Sequence, residues 1–323
     1  MKKVAAVFVS IGVILVIAGL VMVGIFGGDT LKNFSWGDLS GVFNHNLESA
    51  DTVVDYGADE LNGLSKIELD VDNYSVYILP TDEEKLSVKY INPNDDDISI
   101  QVAYDQNTSA LKVTERDNVK IHFFGFGNKR FIAVYIPQTE LFVKSDLTIS
   151  ASTAGIKVTD VAFASVKCFA KTGSVNIDGI TVDVLNAETN TGSVNLDKIT
   201  CRELSATTNT GSVNVDGISA SGRVELRADT GSINCDVTAD ALYIDTDTGS
   251  INFDATANSI TVKTDTGSVH GTVLGDKNDY NITTRVGTGK SNLSNQTAAN
   301  GSNKVLNVTV DTGYVRIDFK ADA

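Results

Sequence analysis

Proline is nearly missing from this 323-residue chain, with three residues in all, which excludes a Pro-stiffened stalk. Cysteine is as scarce: Cys168, Cys201 and Cys235 stand 33 and 34 residues apart, so neither a disulfide framework nor a zinc C-x-x-C pattern is present. The three histidines, His45, His122 and His270, do not recur at metal-ligand spacing. Cations are in deficit, 26 against 41 acids for a net charge of −15, which opposes binding of nucleic acid or anionic lipid by the main body. A 3.6-residue apolar period is also rare, which excludes helical repeats.

What the chain does contain is one phrase, T-G-S-[VI]-[NH], written again and again. Its glycines are Gly173, Gly192, Gly211, Gly231, Gly249 and Gly267, separated by 19, 19, 20, 18 and 18 residues. Weaker copies at Gly155, Gly289 and Gly313 extend the array to about nine. Before each glycine apolar residues alternate, as in Leu185, Ala187, Thr189 and Leu204, Ala206, Thr208, and after it the alternation resumes with Val194, Leu196 and Val213, Val215. This period of two marks strands with one buried face. The inward phase slips by one residue at the T-G step, so the glycine has to absorb a corner that a Cβ would resist. A unit of about 19 residues cannot bury its own apolar face, whereas parallel stacking of the units makes one continuous core. The fold expected is therefore all-β, a parallel β-solenoid of about nine rungs and roughly 40 Å at ~4.8 Å per strand.

Stacking turns repeated residues into columns. Asn176, Asn195, Asn214, Asn234 and Asn252 are expected to form an asparagine ladder sharing amide hydrogen bonds along the stack. Asp178, Asp197, Asp216, Asp236 and Asp254 form a second column, followed by Gly179 and Gly217 in two copies, and Asp-Gly is turn chemistry. The plain reading is a row of solvated second corners. The sharper one is a divalent-cation surface, with Asp197, Asp216 and Asp236 as metal candidates and Asp229, Asp247, Asp265 and Asp311 as a further acidic run. The nonapeptide of calcium-binding β-rolls is absent, so no metal and no cofactor is expected. The cysteines fall nearly two rungs apart and are expected to be free thiols, with Cys168 and Cys235 in inward columns.

Ahead of the array the organisation changes. No charged residue occurs from Val4 to Gly28, and Lys2 and Lys3 precede that run. A helix over residues 4–26 would rise about 35 Å, enough to span a bilayer, and the lysines favour a cytoplasmic N-terminus with the rest outside. Residues 1–28 are therefore expected to be an uncleaved transmembrane signal anchor and 29–60 a spacer. A β-rich cap is expected over 61–145, and the solenoid over 146–323. Ile67, Leu69 and Val71 before Tyr74 follow the grammar of the repeat, which suggests a first rung. The segments Lys85–Tyr90, Ile98–Tyr104, Ala110–Thr114, Val119–Phe124 and Phe131–Ile136 alternate like antiparallel strands.

Catalytic constellations are missing. The serines after each glycine have no histidine at a matching place, and F-G-F-G-N-K-R lacks the third glycine of a dinucleotide motif. The loop Phe123–Arg130 is read as phenylalanines packed in the cap core, the alternative being a tip that touches lipid or a partner. Paired acids are plentiful enough to keep a polysaccharide-processing enzyme as the last of three readings.

The single N-terminal span, "NYSVYI", "VYIPQT" at Val134–Thr139 and the run of "TGSVN" together resemble the bacterial putative-adhesin family over about residues 60–320. The resemblance implies a cell-surface β-solenoid with no catalytic residues to carry over. The function expected is that of a cell-envelope binding or structural module, not an enzyme, facing an envelope protein or polysaccharide. The alternative is an accessory sensor or regulator of an envelope-stress signalling system.

Overall fold

The computed structural model describes residues 47–92, 98–117 and 130–320. The expected anchor over 4–26, most of the spacer, Val119–Phe124 and the Phe123–Lys129 part of the aromatic loop lie outside them. Among the described residues no helix is long and apolar enough to cross a membrane.

The chain from Lys66 onward winds into a solenoid-like stack whose strands pair mostly in parallel. In the Gly211 coil, Glu203–Thr210 leads into the corner and Val213–Ala220 leads out. The strand before each glycine forms a first ladder, in which Cys168, Ala187, Ala206, Leu226, Ile244 and Val262 stand in register from coil to coil. The strand after it forms a second ladder, running through Ile156, Val175, Val194, Val213, Ile233, Ile251 and Val269. Inward residues of both are buried, so the coils share one core.

Two short strands per coil prove too few. Thr181, Thr200, Ser219 and Thr238 pair in a third ladder, and Ile180, Val182, Ile199, Cys201, Ile218, Ala220, Val237 and Ala239 are buried along it. All three cysteines are buried free thiols. Burial pushes Cys168 up to about 12 and Cys201 up to about 11, so both stay protonated and act as small apolar side chains.

The repeat lengths follow from the second corner. In four successive coils a residue with positive φ stands there: Asp160 (51°), Gly179 (65°), Lys198 (52°) and Gly217 (62°). In the two 18-residue repeats that corner is absent, and single strands, Ile233–Thr248 and Ile251–Thr266, run straight through it. The extra residue of the 19-residue repeats is thus the left-handed one. The expected row of Asp-Gly corners holds only for the earlier coils.

The order of coils departs from the order of the sequence at both ends. Lys66–Val71 and Ser75–Thr81 do form a first rung, stacked on Asp146–Ala151 and Ile156–Thr159. Ala110–Thr114 and Phe131–Ile136, expected to be antiparallel, instead pair in parallel on its other side and make a coil outside the first. Antiparallel strands then cover that end, Ile98–Asp105 on one ladder and Leu86–Tyr90 on the other. Thr52–Tyr56, expected within the spacer, adds a further strand on Leu86–Tyr90. At the C-terminal end, Lys304–Lys320 inserts directly after the Gly267 coil, and Tyr280–Ser291 stacks outside it. The glycine column therefore runs from Gly267 to Gly313 and then to Gly289. Tyr280, fully buried, plugs this end, with its hydroxyl donating to the Ala257 carbonyl at 2.8 Å and its ring 5.6 Å from that of Phe319.

Candidate functional site

The corner glycines show why the phrase repeats. Gly173, Gly192, Gly211, Gly231, Gly249 and Gly267 have φ between 144° and 159°, a region that L side chains rarely enter. A Cβ on Gly173 would come within 2.5 Å of the Ala154 carbonyl oxygen, and on each of the others it would fall on the carbonyl oxygen of the glycine one coil earlier. The N–H groups of Gly192 and Gly211 donate onward to the carbonyls of Thr210 and Thr230 in the next coil. The glycine carbonyl has its own donor in four coils. The hydroxyls of Thr189, Thr208, Thr246 and Thr264, all buried, reach Gly173, Gly192, Gly231 and Gly249 at 2.8 to 3.3 Å. Read as apolar-phase residues in the sequence, these threonines bury their hydroxyls against a partly buried backbone acceptor.

The outward surface of the second ladder is the most regular on the molecule. Side-chain Nδ2 of Asn195 donates to Oδ1 of Asn176 at 2.7 Å, and Asn214, Asn234 and Asn252 each repeat the bond to the coil before at 2.9 Å. The chain of amides ends at Asn176, whose own Nδ2 is buried without an acceptor among the described residues. His270 and Arg316 continue the column past Asn252. Serines flank it on the corner side, where the Ser174 and Ser193 hydroxyls accept from the next serine's N–H at 3.2 and 3.4 Å.

Beyond the asparagines lies the aspartate column. Asp178, Asp197 and Asp216 are in register, as are Asp236 and Asp254. The register shifts between Val215 and Ile218, at the Gly217 corner. Asp216 and Asp236 directly follow the paired Val215 and Cys235, and the Asp216 carboxylate acts on Asp236, so the metal candidates Asp197, Asp216 and Asp236 stand in neighbouring coils of one column. Among the described residues no group of three or more His, Cys, Asp or Glu side chains is arranged to hold a metal ion. Lys198 stands in the column instead, 2.6 Å from Asp197 and 3.9 Å from Asp178. Asp229, Asp247, Asp265 and Asp311 are exposed two residues before their corner glycines.

Desolvation and then the neighbouring carboxylates raise Asp236 above the usual aspartate value, and Asp178 is raised in the same way. Because the folded-state pKa lies above the unfolded one, each group costs stability at neutral pH, and that cost disappears as pH falls through the folded pKa. Asp236→Asn is expected to raise the melting temperature at pH 7, the repulsion removed being at most about 1 kcal/mol in water. The advantage closes on acidification, when the wild-type carboxyl is itself neutral. At fixed ionic strength calcium is expected to give no saturable rise in melting temperature, and a saturable rise abolished by Asp216→Asn would establish a specific site.

A second cluster escaped the sequence reading. On the outward face of the first ladder, Tyr243 pairs in register with Glu225 and Thr261, and Arg227, Asp245 and Lys263 stand side by side in the next column. Arg227, Lys263 and Arg223 lie over the Tyr243 ring at 5.1, 5.3 and 5.6 Å. The Tyr243 hydroxyl donates to Asp245 at 2.7 Å, and Glu225 binds both arginines. The signal was available, since these residues occupy neighbouring outward positions of three consecutive repeats.

The family model described as Toastrack DUF4097 matches residues 64–318. A comparison with curated proteins found no match. Among solved structures, a putative adhesin from Bacteroides fragilis is 17% identical over 69% of this chain and 95% of its own, with a TM-score of 0.45. A putative cell adhesion protein from Clostridium sporogenes is 13% identical over 84% of this chain and 99% of its own, with a TM-score of 0.25.

Proposed function

The chain belongs to the Toastrack DUF4097 family, and from that premise we propose that it is a membrane-anchored, extracytoplasmic binding module of the cell envelope and not an enzyme. The observation that carries this reading is the Ser/Asn/Asp surface of the second ladder. Its asparagine column is held rigid by its own amide chain over five coils. Such a surface offers the same polar groups at every strand spacing of ~4.8 Å. That suits a repeating polymer, an envelope polysaccharide or a periodic protein surface, because weak identical contacts multiply into avidity. The uncharged run over residues 4–26 behind Lys2 and Lys3 supports attachment with the stack outside.

Protease added to intact protoplasts is expected to degrade the solenoid while the chain remains in the membrane fraction. Protection of the solenoid, with the N-terminus cleaved instead, would reverse the topology. On the outward-facing protein, Asn195→Arg with Asn234→Arg is expected to reduce cosedimentation with isolated envelopes at least tenfold. Undiminished cosedimentation by that folded variant would remove the surface from the function.

A further inference from the structure

The two ends of the stack are closed differently. At the N-terminal end antiparallel strands cover both outer ladders. At the C-terminal end the second ladder is capped at Asn292: its N–H donates to the Val315 carbonyl at 3.1 Å, its Nδ2 donates to the Ile317 carbonyl at 2.9 Å, and its Oδ1 accepts from the Ile317 N–H at 3.0 Å. The first ladder ends on Tyr280–Ser291, of which only the early part is covered. Ile282 exchanges backbone hydrogen bonds with Gln296, and Asn295 Oδ1 accepts from the Thr284 N–H at 2.7 Å. Past Thr284 the cover stops. Among the described residues no strand stands beyond Val286–Lys290, although Gly289 repeats the corner conformation with φ 142°. In every coil from Gly173 to Gly267 the equivalent glycine N–H donates to a threonine carbonyl of the next strand.

The charge at this edge is opposite to that of the chain as a whole. Residues 275–320 carry six cations and four carboxylates in a protein of net charge −15. Arg285 and Lys290 are exposed on the edge strand itself, and the Arg316 side chain keeps 73% of its surface in solvent. Tyr314 takes the place of the usual corner serine, stands beside Lys290 and is 60% exposed. Exposed aromatics next to cations at an unpaired backbone edge combine an anchor with a template for strand addition.

We propose that the edge Val286–Lys290 is a docking site for an extended acidic segment of another protein, which adds as one more strand of the first ladder. The backbone of Val286 and Gly289 supplies hydrogen bonds, Arg285 and Lys290 select the negative charge, and Tyr314 covers the added strand's flank. A second copy of the chain is disfavoured, since antiparallel pairing of two such edges sets Arg285 and Lys290 of one copy against the same cations of the other.

The probe is a fluorescein-labelled, end-blocked heptapeptide alternating valine with aspartate, titrated into the full chain in detergent and followed by anisotropy. Saturable binding is expected, at least tenfold weaker for Arg285→Glu with Lys290→Glu, and equally weakened when alternate amides of the peptide are N-methylated. Val286→Pro is expected to abolish binding, and the N-methylated peptide makes the same test from the ligand side should that variant fail to fold. The proposal is overturned if the acidic peptide does not saturate, if a valine–lysine peptide binds as well, or if the double charge reversal leaves binding unchanged. A concentration-dependent dimer that the acidic peptide dissolves would assign the edge to a second copy and overturn it too.

Discussion

Gly211→Val is expected to destabilise the solenoid by about 3 kcal/mol or more, combining backbone strain with overpacking. Gly211 has φ 145°, which a β-branched residue adopts only with strain. Its new Cβ would fall on the carbonyl oxygen of Gly192. That obstacle is backbone, locked in the stack on both sides, so no side chain can rotate to make room. The same oxygen accepts the buried Thr208 hydroxyl at 2.9 Å, so moving it also leaves that hydroxyl without its acceptor. Ser212→Ala should change stability by less than about 0.5 kcal/mol, as surface substitutions usually do. Thermal melts together with hydrogen exchange in Val194–Asp197 and Ile233–Thr248 test this. A Gly211→Val protein that melts with the wild type would show that the corner does not need its glycine.

The features of the fold legible in the sequence are those in which each coil repeats the one before. The corner glycines, the asparagine ladder and the two ladders flanking the corner each place one residue type in one column, so a spacing of 18 to 20 residues is enough to find them. The third ladder was missed because its inward residues vary from Ile180 and Val182 to Val237 and Ala239, and because a left-handed corner interrupts it in some coils and not in others. The threonines at Thr189 and Thr208 were placed inward correctly, but their role depends on a carbonyl in the preceding coil. Coil order at the ends was not legible at all. Any coil can stack on any other of matching grammar, and the choice between Gly289 and Gly313 as the neighbour of Gly267 is made by the plugging of Tyr280 and by the loop that brings Asn292 and Gln296 back over the edges. The candidate surface follows the same division. Its asparagines were evident from spacing, whereas the contact of Lys198 with Asp178 across a coil depends on a left-handed corner that no count of residues reveals.

The interleaved end makes a second large effect testable, because deletion of residues 304–323 removes an internal coil. If coils stacked in sequence order, the truncated chain would lose its outermost turn, and Tyr280–Ser291 would remain paired on the Gly267 coil. In the structure Lys304–Lys320 is bonded to Ser259–Thr266 and Val269–Leu274 on one side and to Tyr280–Ser291 on the other. Its loss removes the buried Leu306, Val308, Val310, Val315 and Ile317, on the order of 10 kcal/mol of apolar burial. It also takes away the strand against which, among the described residues, Tyr280–Ser291 is paired along its length. Residues 275–303 are therefore expected to lose protection together, exchanging amide hydrogens rapidly and becoming the first site of proteolysis. The coils from Gly155 to Gly231 should keep theirs, since a stacked array propagates stability only between neighbours. Hydrogen exchange on the truncated chain separates the two orders: retained protection of Tyr280–Ser291 would mean that this strand docks on Ser259–Thr266 by itself, and that the C-terminal strand is an addition to the stack, not the layer that holds its end.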